Sequence, residues 1–128
     1  MKSSDERFPK TLRLRRRREF LGVQRSPYRL VTQHFIVYAR ASGDRDTRIG
    51  ITVSRKVGRA NQRNRIKRLE REVFRKRRVE LPRGLNVVMV ARPGRGLPSY
   101  DDVESQLVPS LGTLKERVVQ RHGKRKSS

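Results

Sequence analysis

Apolar and polar residues are arranged along this chain in blocks, and the period within each block predicts its element. Arg16–Arg25 sets Phe20, Leu21 and Val23 on one side behind a run of arginines and stops before Pro27, which predicts a short helix. Tyr28–Arg40 is rich in β-branched and aromatic residues. Within His34–Arg40, Phe35, Val37 and Ala39 share one face, and His34, Ile36, Tyr38 and Arg40 the other. After a Gly/Asp turn at Ala41–Thr47, Arg48–Ser54 alternates again, with Ile49, Ile51 and Val53 against Gly50, Thr52 and Ser54. These two strands are expected to pair as a hairpin with one apolar face and one polar, partly aromatic face.

The period then changes. Across Val57–Glu80, Ile66, Leu69, Val73 and Phe74 form one helical stripe, with Asn61, Asn64, Arg68, Arg71 and Arg75 roughly opposite, and Pro82 closes the helix. Asn86–Ala91 is almost wholly apolar and reads as a strand buried on both faces. Ser99, with Asp102 three residues on, looks like the cap of a last helix carrying Val103, Leu107, Leu111, Leu114 and Val118. Pro109 and Gly112 interrupt that pattern, so a kink or break is expected there. The reading is α+β, an α/β sandwich in a single small domain at 8–119, with a flexible arm at 1–7 and a disordered basic tail at 120–128.

Composition narrows the function. Lys and Arg number 34 against 12 Asp and Glu, for a formal charge of +22 on 128 residues, so an acidic partner is strongly favoured and nucleic acid comes first. There is no cysteine, which removes disulfides, thiolate zinc sites and cysteine nucleophiles, and the two histidines, His34 and His122, are far apart in sequence. The N-terminus has no apolar run and no stretch approaches a membrane span, so the expectation is a cytoplasmic protein with no membrane partner. A polybasic protein at a membrane surface is the rival on charge alone.

The densest feature is Arg59–Arg78, where ten basic residues face only Glu70 and Glu72. Like charges three and four residues apart cost about 0.2–0.5 kcal/mol per pair, a cost that makes sense if a polyanion neutralises them. Arginine dominates over lysine, and its planar fork can grip phosphate at two points or stack on a base.

This stretch resembles a known family. RIGITVSRKVGRANQRNRIKRLEREVFR, Arg48–Arg75, with Arg63-Asn64-Arg65 at its centre, is similar to the signature of the bacterial ribonuclease P protein subunit. Phe8-Pro9, Leu12-Arg13-Leu14, Glu19-Phe20, the strand Phe35–Tyr38 and NVVMVARPG extend the likeness over about residues 8–118. The resemblance implies the order αβββαβα with a left-handed βαβ crossover. It also implies a protein subunit that performs no cleavage itself but partners a catalytic RNA in removing the 5′ leader from precursor tRNA. Catalytic residues are then none. The RNA subunit, not the protein, requires Mg²⁺, and no cofactor, metal or further protein partner is expected on this chain.

Carried over by residue, the resemblance assigns Arg63, Asn64, Arg65, Lys67, Arg68 and Arg71 to the RNA subunit. It assigns Phe20, Tyr38, Arg55 and Lys56 to the leader, and the polar strand face adds Thr52 and Ser54 to these leader-binding candidates. Phe20 is open between cleft and core at this level. Tyr38, with Thr52 and Ser54, falls on a polar strand face, where an aromatic ring is better placed to stack on a base than to fill a core. His34 reads as a surface histidine rather than a catalyst. Gln24 stands where many relatives carry a second aromatic, and Arg59 where an Asn is common. The alternative is a structural RNA-binding protein such as a ribosomal protein. An autonomous nuclease lacks paired carboxylates near the basic helix and a credible histidine base.

Overall fold

The computed structural model describes residues 12–42 and 46–127, with side chains described as far as Val119. Its elements run α1 (Arg17–Gln24), β1 (Arg29–Val31), β2 (Phe35–Ala41), β3 (Arg48–Thr52), α2 (Ala60–Arg77, continued by a 3-10 turn at Arg78–Glu80), β4 (Leu85–Ala91) and α3 (Tyr100–Ser127). This is the expected order, in one α+β domain. The arm at 1–7 lies outside the described residues.

The sheet order is β1-β2-β4-β3, which overturns the expected pairing of β2 with β3. β4 sits between them, antiparallel to β2 and parallel to β3, with Tyr38 opposite Val88 and Val88 opposite Gly50. The reason lies in β4 itself. Val87, Val88 and Met89 are all fully buried, and only an inner position covers both faces of such a strand and bonds both its edges. The hairpin that does form joins β1 to β2, with Leu30 opposite Val37. It is closed where the Thr32 amide donates to the Phe35 carbonyl at 2.7 Å. The Ala41–Thr47 segment instead leads to the far edge of the sheet.

Strand alternation divides the side chains between two faces. On one, Phe35, Val37 and Ala39 join Val87, Met89 and Ile49 under α2 and α3, which contribute Ile66, Val73, Phe74, Leu107, Leu111 and Leu114. This is the main core. His34 is buried and not at the surface, correcting the expectation. Its Nδ1 lies 2.8 Å from Gln106 Nε2, and its backbone amide donates to Gln106 Oε1 at 2.8 Å. The histidine pins the start of β2 to α3.

α3 also departs from expectation. It begins with a reciprocal cap, the Ser99 amide donating to Asp102 and the Asp102 amide to Ser99 Oγ at 2.9 and 3.1 Å. It then runs through Pro109 without a break. Pro109 is exposed, while Leu107, Leu111 and Leu114 are fully buried, so packing of the inner stripe outweighs the one amide the proline lacks. Helical backbone continues to Ser127, into the segment read as a disordered tail.

The other sheet face is only partly covered. α1 crosses it, burying Val23 against Leu14 and Val88, with Phe20, Tyr38 and Val90 packed at the margin. Glu19 draws the amides of Arg15 and Arg16 onto its carboxylate at 3.2 Å each and pairs with Arg48 at 3.0 Å, which anchors the helix start to β3. At the other end, Ser26 Oγ donates to the Ala39 carbonyl at 2.6 Å, tying the helix exit to β2.

Candidate nucleic-acid interface

Two surfaces meet along β3. The first is the sheet face that α1 leaves open. Its floor is a row running across all four strands, Val31, Ile36, Val90 and Thr52, in mutual register. Val31 is 57% exposed, and Ile36, Val90 and Thr52 are half-buried. The next row, Arg29, Tyr38, Val88 and Gly50, passes beneath the edge of α1. Tyr38 and Phe20 are both half-buried there and belong to the same small cluster. Phe20 is therefore neither free in the cleft nor sealed in the core. Its ring lies over Gly50, where a Cβ atom would come within 2.6 Å of the ring edge. An isolated glycine in an alternating strand is the sequence signal for such a close approach, and it was there to be read. Of the other predicted leader residues, Ser54, Arg55 and Lys56 follow β3 and are all exposed.

The second surface is the outer face of α2. The helix starts where Gln62 folds back to accept the Arg59 amide at 3.0 Å. Gly58 leaves room for this, since a Cβ there would run into the Gln62 amide group. From that start, a groove of about 560 Å³ gathers Asn64, Lys67, Arg68 and Arg71 with Glu72 and Arg75, closed on one side by Arg13. Four of the six residues assigned to the RNA subunit thus come together. Arg63 and Arg65 lie outside the groove, Arg65 exposed and Arg63 half-buried. Glu72 is held by Arg75 through two bonds of 2.8 and 3.1 Å, which keeps its carboxyl below the ordinary range.

The same helix carries a residue the sequence reading passed over. Glu70 is fully buried, on the core stripe with Ile66, Val73 and Phe74, and neither carboxylate oxygen has a hydrogen-bond partner. Desolvation drives its pKa well above the ordinary value, against the opposing pull of Arg71 and Lys67. The spacing Ile66–Glu70–Phe74 shows it, because i and i+4 share a face.

Among the described residues, no group of three or more His, Asp or Glu side chains could hold a metal ion, and no helix is long and apolar enough to cross a membrane. Asp101 is exposed, and Asp102 is used by the α3 cap.

A family model for ribonuclease P matches residues 8–115. The chain is 39% identical over 117 residues to the ribonuclease P protein component of Dictyoglomus thermophilum, covering 86% of this chain and 96% of that one. It is 43% identical over 107 residues to that of Desulfovibrio desulfuricans, covering 80% and 82%. Among solved structures, the ribonuclease P protein of Thermotoga maritima superposes with a TM-score of 0.69 at 34% identity, over 77% of this chain and 94% of that one. A Staphylococcus aureus ribonuclease P protein mutant with defective mRNA degradation activity gives 0.72 at 26% identity, over 83% and 90%. None of these matches supports the ribosomal alternative. The chain belongs to the ribonuclease P family, as a protein component of that endoribonuclease.

Proposed function

We propose that this chain lays the arginine face of α2 against the catalytic RNA of ribonuclease P and takes the 5′ leader of precursor tRNA on the open sheet face. The observation that carries this reading is the juxtaposition of the two surfaces. A half-covered sheet face edged by Phe20 and Tyr38 borders a groove lined by Asn64, Lys67, Arg68 and Arg71. Unpaired bases stack on aromatic rings, and arginine forks neutralise and orient phosphates. Thr52, Ser54, Arg55 and Lys56 then lie along the exit of β3, where they can follow the leader backbone. Arg63 and Arg65 would reach RNA from the flanks of α2.

In this reading the chain is not required to activate water. His34 is committed to Gln106, and Asp102 to a helix cap. In this reading the RNA subunit holds the catalytic Mg²⁺ ions, the protein contributes binding and positioning, and the work is done in the cytoplasm. The test is binding of the RNA subunit across a salt series. Arg68→Ala should weaken it and lower the log–log salt slope by about 0.7–0.9, whereas Arg117→Ala, on exposed α3 surface, should leave the slope unchanged. Equal losses from both would show diffuse charge rather than the α2 face controlling binding.

A further inference from the structure

α1 divides the open sheet face, and the function argued above uses only the flank edged by Phe20. Gly22 lies two residues, about 200° of helical turn, from Phe20 and so faces the opposite flank. There the last turn of α1, the entry to β1 and the end of β2 enclose a cleft of about 560 Å³, whose lining includes Gly22, Arg25, Ser26, Tyr28 and Arg40. Ligand clefts commonly measure about 300–1,000 Å³. Arg40 stands two residues beyond Tyr38 on the same face of β2, about 7 Å along the strand.

The walls of this cleft are fixed by hydrogen bonds. Ser26 Oγ donates to the Ala39 carbonyl at 2.6 Å and accepts from the Tyr28 amide at 3.2 Å, while the Ala39 amide donates to the Tyr28 carbonyl at 3.0 Å. The helix exit, β1 and β2 are thereby locked together around it. Gly22 gives Arg40 its seat, since a Cβ there would lie 2.9 Å from Arg40 Nη1. Glycine weakens a helix relative to alanine, and here it leaves room for a guanidinium against α1. Arg25 and Arg40 are exposed, and among the described residues no carboxylate lines the cleft. Tyr28 packs against the main core but is only half-buried, and forms an aromatic wall beside the two cations. Two guanidinium charges outweigh the roughly half charge at the carbonyl end of α1, so the cleft attracts anions.

We propose that this cleft binds one nucleotide of the precursor tRNA leader, with its phosphate between Arg25 and Arg40 and its base beside Tyr28. An aromatic wall with adjacent cations suits a single strand of any sequence. The proposal rests on the function argued above and extends it. A leader laid along Tyr38 meets Arg40 next on the same strand face, so the nucleotide belongs to the part of the leader distal to the tRNA. Arg25 and Arg40 then set how much leader the protein senses.

The test uses the reconstituted holoenzyme and precursor tRNAs whose leaders lengthen one nucleotide at a time. Wild-type affinity should rise in a step once the leader reaches the cleft. Arg40→Gln should remove that step, weakening binding of long-leader precursor about tenfold and lowering its log–log salt slope by about 0.7. Short-leader precursor, mature tRNA and the RNA subunit alone should bind as before. Gly22→Ala supplies a variant that removes no charge: its methyl displaces the Arg40 guanidinium, while alanine favours the helix. It should weaken long-leader binding with a melting temperature no lower than wild type, and add nothing in the Arg40→Gln background. The proposal is overturned if wild-type affinity shows no step with leader length, if Arg40→Gln leaves the step in place, or if its loss is the same for every RNA. A lowered melting temperature of Arg40→Gln with the step intact would also overturn it, and would assign Arg40 to the carbonyl end of α1. Loss with the RNA subunit alone would overturn it in favour of that RNA. Tyr38→Ala on short-leader precursor keeps the two claims apart: its loss beside an unaffected Arg40→Gln preserves the leader on the open face and removes only this cleft.

Discussion

The two faces of one sheet have opposite fates in this protein. The strands are the same, and adjacent residues differ only in the side to which they point. Val37 is fully buried beneath the α2 and α3 layer, while Tyr38, the next residue, is half-exposed beside α1. The first face is covered by an 18-residue and a 28-residue helix, the second by one of 8 residues. A short helix cannot cover four strands, so the row Val31, Ile36, Val90 and Thr52 stays open. Stability is concentrated on one side, and the other is free to recognise a ligand.

The largest test of this contrast is on the closed side. Phe35→Ala should destabilise the fold by about 3–5 kcal/mol, the usual cost for a buried phenylalanine, read from chemical denaturation. RNA binding should follow only the folded fraction. A loss of RNA affinity with unchanged stability would break the assignment of that face.

Glu70 sharpens the contrast, because it is a defect within the closed layer. Its raised pKa means that the folded protein holds this proton more tightly than the unfolded chain does. The contribution to stability is fully present below the ordinary carboxylate range and is lost as pH rises through the raised folded value. Glu70→Leu should therefore raise the melting temperature at pH 8, with a smaller gain at pH 4.5. Thermal melts across pH check this, and equal gains at both pH values would contradict the sign.

A smaller effect is expected on the open side from Gly50→Ala. The added methyl would meet the Phe20 ring at 2.6 Å and push it off its seat. The expected loss is part of one stacking interaction, about 1 kcal/mol or more in precursor tRNA affinity, with binding of the RNA subunit alone unchanged. Titration of the holoenzyme with precursor tRNA measures it.

How much of this was legible in the sequence depended on whether the signal was local. The burial of Phe35, Val37 and Ala39, the α2 stripe and the burial of β4 at Val87, Val88 and Met89 followed from period alone, whereas Val90 stays half-open. The pairing of β2 with β4 did not, because strand adjacency is set by which strand needs both edges satisfied, and not by proximity in sequence. Pro109 misled because propensity is weak against a fully buried leucine stripe. His34 misled because its partner, Gln106, lies 72 residues away. At the site, the basic face of α2 and the residues Phe20 and Tyr38 could be read from the chain. Arg13 could not, since its place at the α2 groove exists only once the segment before α1 docks on β3. Gly50 and Glu70 were visible as a glycine in an alternating strand and a charge on an apolar stripe, but each looks ordinary until its neighbours are in place.

The most direct measurement of the account is Tyr38→Ala in the reconstituted holoenzyme, with precursor and mature tRNA compared at one salt concentration. Tyr38 lies outside the main core, at the half-buried margin of the small cluster under α1, so the melting temperature of the free protein should fall far less than for Phe35→Ala. Precursor affinity should fall by about 1–3 kcal/mol, the cost of removing one aromatic–base stack, while mature tRNA, which has no leader, should bind as before. An equal loss for both RNAs, measured where the protein is fully folded, would contradict the claim that the open sheet face receives the leader.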